Sequence, residues 1–71
     1  MSPKRLGMRI KAMRQERGFT QVALAKKAKI GPIYLAQIEG SAKKPPIRTP
    51  SLPMLERLAK ALQVKLTDLL E

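Results

Sequence analysis

The side chains able to do acid–base, nucleophilic or metal chemistry are few in this chain. There is no cysteine and no histidine among its 71 residues. That removes thiolate chemistry, disulfides and the commonest general base and metal ligand. Five carboxylates remain, at Glu16, Glu39, Glu56, Asp68 and Glu71, and no two are spaced as an obvious catalytic pair. The chemistry on offer is instead cationic. The chain has 15 Lys and Arg against 5 Asp and Glu, a net charge of +10. Residues 1–48 hold 12 basic and 2 acidic side chains, whereas residues 49–71 hold 3 of each. An excess confined to one stretch points to a polyanionic partner, while the lack of histidine, cysteine and a carboxylate pair argues against an enzyme. No cofactor and no metal is implied.

The elements that would position these cations are short and helical. Pro3 can open a first helix, in which Leu6, Ile10 and Met13 recur at helical spacing toward a core. Gly18 should end it, as a residue that tolerates positive φ just past a C-terminus, and Phe19 should then enter the core. Thr20 is a good N-cap for a second helix running to about Ala28, with Leu24, Ala25 and Ala28 inward. A third helix should start at Gly31 and Pro32, where proline's missing N–H costs nothing. Leu35 and Ile38 point inward with Ile30, and Gly40 ends it. Lys26, Lys27 and Lys29 are read as falling between these helices and as a solvated face.

From Ser41 to Pro50 the composition changes. Four of the six prolines lie between 45 and 53, which predicts a stiff extended loop carrying Lys43, Lys44 and Arg48. Ser51 caps a fourth helix with a core face of Leu55, Leu58, Ala59 and Leu62. Val64, Leu66, Leu69 and Leu70 suggest a short fifth helix. The expectation is one all-α domain over residues 1–71 with no strand. No apolar run approaches the roughly 20 residues of a membrane span. Charge interrupts positions 1–20 throughout, so no secretory signal is expected and a cytoplasmic location is.

Two amphipathic segments broken at Lys29-Ile30-Gly31 have the layout of a helix-turn-helix, in which one helix steadies the unit and the next lies in the DNA major groove. The basic surroundings suit a DNA partner. The chain resembles the phage-repressor and Cro-like helix-turn-helix family, often called Xre. The residues carrying the likeness are Leu6-Gly7 with Ile10, Met13 and Arg14; Gly18-Phe19-Thr20-Gln21 with Leu24-Ala25; Ile38-Glu39; Pro50-Ser51-Leu52; and Leu58 to Val64 with Leu69-Leu70. In order and spacing they span residues 6 to 70.

The resemblance implies a five-helix, lambda-repressor-like fold with the helix-turn-helix at the second and third helices. It implies a transcriptional regulator, most simply a repressor, working as a homodimer on pseudo-palindromic double-stranded DNA. Gln21 would reach a phosphate, and Arg14 and Glu39 would form a buried ion pair. Pro32, Ile33, Ala36 and Gln37 would face the bases, with Tyr34 toward a backbone strand and Lys43, Lys44 and Arg48 along phosphates. Gln37 alone of the base-facing set can make a bidentate contact, most naturally to adenine N6 and N7, while Ile33 and Ala36 could touch thymine methyls. Lys29 and Gln63 stand at turn positions where the family often has glycine, which implies left-handed backbone at both. Lys65 replaces the usual small cap of the last helix. Leu66, Leu69 and Leu70, in the neutral segment, are where two copies could meet. Two other readings stay open: a protein-interaction module such as an antitoxin-like regulator partner, and a nonspecific nucleic-acid binder.

Overall fold

The computed structural model describes residues 3–40 and 50–70. These form helices α1 (Pro3–Glu16), α2 (Gln21–Ala28), α3 (Pro32–Glu39), α4 (Leu52–Leu62) and α5 (Leu66–Leu70), with no strand among the described residues. The helices pack in a closed circuit: α1 on α3, α3 on α2, α2 on α4, α4 on α5 and α5 back on α1. Ile10, Leu24, Leu35, Leu58, Leu62 and Leu69 are fully buried at its centre. None of these helices is long and apolar enough to cross a membrane.

Three of the helix ends are built alike. The backbone turns left-handed at Gly18 (φ 72°), Lys29 (φ 59°) and Gln63 (φ 59°). The next residue then donates its N–H back five residues: Phe19 to the Arg14 carbonyl (3.0 Å), Ile30 to Ala25 (2.9 Å) and Val64 to Ala59 (3.0 Å). This satisfies carbonyls that the helix end leaves open, and it aims the following side chain inward. Phe19, Ile30 and Val64 all pack against the core while staying partly exposed. Phe19 is thus at the core's edge, with Lys27 Nζ 5.1 Å from its ring centroid.

The helix starts are equally local. Thr20 Oγ1 accepts the Ala23 N–H at 3.0 Å and Ser51 Oγ accepts the Met54 N–H at 3.4 Å. Gly31 offers no side-chain cap to α3, and Pro32 follows it. At α5 the lysine that replaces a small cap is compensated: Asp68 Oδ2 reaches back to accept the Lys65 N–H at 3.0 Å. Arg9 Nε donates to the Asp68 carbonyl, tying α1 to α5.

Gly7 decides how closely α1 and α3 approach. It is buried, and a Cβ built on it would lie 2.1 Å from the Ile38 carbonyl oxygen and 3.3 Å from Glu39 Cα. Only a residue without a side chain lets the two backbones meet there.

Candidate nucleic-acid interface

The turn at Lys29 and Ile30 sets α3 across α2 and presents one side of it outward. Leu35, Ile38 and Glu39 are buried against α1 and α2. Pro32 and Ile33 are exposed, Ile33 to 70%. Ala36 and Gln37 are partly exposed and share the Ile33 side of the helix at the i+3 and i+4 positions. Tyr34 is half-buried and packs against the core.

Beneath this helix lies a charged node. Arg14 Nε donates to Glu39 Oε2 at 2.9 Å and Arg14 Nη2 to Glu39 Oε1 at 3.1 Å, a bidentate pair. Arg14 Nη1 donates to the Phe19 carbonyl at 2.7 Å. Arg14 is 8% exposed and Glu39 7%. Gln21 joins the node, its Nε2 donating to Glu39 Oε1 at 3.0 Å. The end of α1, the start of α2 and the end of α3 therefore meet at one carboxylate. The amide expected on a phosphate has a partner inside the domain, because the first turn of α2 stands directly beside Glu39. No buried side-chain nitrogen or oxygen among the described residues lacks a hydrogen-bond partner.

The cations distribute differently from the sequence reading. Lys26 and Lys27 lie within the last turn of α2, and of the three only Lys29, its C-cap, sits in the turn between the helices. There they offset the negative end of the helix dipole, as Lys60 does for α4. Lys43, Lys44 and Arg48 lie outside the described residues. The three-leucine surface expected near the chain end is also absent. Leu69 is 0% exposed and Leu66 is packed against the core, which leaves Leu70, 42% exposed. A five-residue helix has one apolar side, and α5 spends it on attachment to α1 and α4.

The sequence reading missed Gly7 as the α1–α3 contact, Gln21 as a member of the buried node and Asp68 as the α5 cap. Only the last left a local trace, an acidic residue three positions after Lys65.

The comparisons with known proteins agree with this geometry. A family model described as helix-turn-helix matches residues 10–69. The immunity repressor protein of Bacillus phage phi105 is 45% identical over 62 residues, which cover 87% of this chain and 40% of that protein. The chain thus spans less than half of that relative's length. The restriction-modification controller protein C.AhdI from Aeromonas hydrophila superposes with a TM-score of 0.82 at 26% identity, over 94% of each chain. SinR, the Bacillus subtilis master regulator for biofilm formation, solved in complex with DNA, superposes with a TM-score of 0.80 at 35% identity, over 93% of this chain and 98% of that one. With matching helices, turn and spacing over most of its length, the chain belongs to the helix-turn-helix family.

Proposed function

We propose that this chain is a sequence-specific DNA-binding transcriptional regulator that acts as a repressor by occupying its site. The observation that carries the reading is the outward side of α3. The helix is anchored from behind by Leu35, Ile38 and the Arg14–Glu39–Gln21 node, while Pro32 and Ile33 stay exposed beside Ala36 and Gln37. A helix held rigidly from one side, with its other side open, suits the major groove. The excess of 12 basic over 2 acidic residues in positions 1–48 suits the phosphates around it. The phi105 relative is an immunity repressor and SinR has been solved bound to DNA, which supports the same function here.

In this reading Gln37 supplies the hydrogen-bonded base contact, and Pro32, Ile33 and Ala36 lie against the groove floor. Tyr34, Lys43, Lys44 and Arg48 lie on the backbone, and the first turn of α2 at Gln21 faces a phosphate. One subunit discriminates weakly with one bidentate reader, so two act together on half-sites about one helical turn apart.

The test is selection of binding sites from random duplex DNA, followed by salt titration of the selected site. With roughly four to six phosphate contacts per subunit, each adds about −0.9 to the slope of log K against log salt. Lys44→Ala should weaken all sequences about equally and flatten the slope by about 1. Gln37→Ala should instead relax the preference at one position in each half-site, a loss of about 1–3 kcal/mol of discrimination. A salt-independent affinity, or an asymmetric motif unchanged by Gln37→Ala, would refute the assignment.

A further inference from the structure

We infer that Ile33 reads the 5-methyl group of a pyrimidine, so that this chain distinguishes thymine from deoxyuracil and methylated from unmethylated cytosine. The inference rests on the proposed DNA-binding function and assigns a recognition chemistry to it.

Three of the four outward positions of α3, Pro32, Ile33 and Ala36, have no side-chain donor or acceptor. They can discriminate bases only through apolar contact. On the major-groove edges of the four base pairs, the one apolar feature is the methyl group at pyrimidine C5. Of the three, Ile33 carries the largest apolar side chain and is 70% exposed, whereas Ala36 is partly covered. Its Cβ branching leaves one strongly preferred χ1 rotamer on a helix, so the methyl-bearing surface is pre-set and loses little side-chain freedom on contact. α3 itself is fixed from behind by the node at Glu39, which gives Ile33 a defined height above the domain.

The neighbour at i+4 sets the register. Gln37 lies about 6 Å further along the helix axis, a span of at most about two base steps at about 3.4 Å each. The half-site should therefore place an adenine, read by Gln37, within about two base pairs of a pyrimidine whose 5-methyl group meets Ile33. Deoxyuridine pairs as thymidine does but lacks the methyl. 5-Methylcytosine carries the same methyl on a G·C pair. Cytosine methylation at that position would create a contact, giving the chain a preference for methylated sites.

The experiment uses the full chain and the duplex recovered by selection. Each thymidine is replaced in turn by deoxyuridine, and each cytidine by 5-methylcytidine. The parent protein should lose about fourfold in affinity at one thymidine position per half-site, the loss expected for one buried methyl group. Where that position holds cytidine, 5-methylation should raise affinity by a similar factor. Ile33→Ala should bind thymidine and deoxyuridine equally at that position, and Ile33→Val should fall between. Because Ile33 is exposed, both variants should melt with the parent. A flat deoxyuridine series with the parent protein still bound overturns this inference alone, as does a thymidine preference that survives Ile33→Ala. Failure to bind any duplex overturns the proposed function with it.

Discussion

Removing either partner of the Arg14–Glu39 pair should leave the domain marginal or unfolded. The guanidinium makes two bonds to the carboxylate, at 2.9 and 3.1 Å, and a third to the Phe19 carbonyl at 2.7 Å. In Glu39→Ala the guanidinium keeps only that third bond, in surroundings that leave the residue 8% exposed. Gln21 loses its acceptor in the same step. A stranded buried charge costs about 3–5 kcal/mol. At roughly 0.05–0.15 kcal/mol per residue, 71 residues carry about 4–11 kcal/mol in total. In a domain this small each kilocalorie moves Tm by about 4–8 °C, so the expected fall is roughly 12–40 °C. Thermal melts followed by far-ultraviolet circular dichroism would measure it for Arg14→Ala and Glu39→Ala. The double variant Arg14→Met with Glu39→Leu removes both charges together and should recover much of the loss, because no ion is left to desolvate. Single variants melting within about two degrees of the parent would refute the reasoning. So would a double variant that loses the sum of the two singles.

Gly7→Ala should destabilise by about 3 kcal/mol or more, since its Cβ would lie 2.1 Å from the Ile38 carbonyl oxygen on a backbone that cannot yield cheaply. Gly31→Ala is the control: its Cβ would meet only Tyr34 Cβ at 3.9 Å, and a loss above about 1 kcal/mol there would contradict the distinction. Lys29→Gly and Gln63→Gly should each raise stability by up to about 1 kcal/mol, because both positions hold φ at 59° with a side chain in place. Urea titrations giving no gain at either position would show that the left-handed turns carry no strain.

The helix limits were legible from the chain because their causes lie within five residues. Thr20 meets Ala23, Ser51 meets Met54, and Phe19, Ile30 and Val64 close back on the helices they follow. Hydrogen bonds of that reach form between neighbours whatever the rest of the fold does, so residue type and spacing carry the information. The inward side of α3 was legible for a similar reason, since the 3.6-residue period brings Leu35 and Ile38 to one face, while the outward set of Pro32, Ile33, Ala36 and Gln37 came from the family resemblance.

Tertiary structure decided what depends on distant partners. The resemblance puts Gln21 on a phosphate, yet Glu39, 18 residues on, takes its amide. Gly7 carries no local sign of its role, which emerges only when the Ile38 carbonyl is brought against it. Leu69 looks like a surface for a second copy until α5 is laid on α1 and α4, where Arg9 reaches the Asp68 carbonyl across 59 residues of chain. In each case the residue's role is set by what the fold brings against it. That is a property of the closed circuit of helices, and local spacing does not encode it.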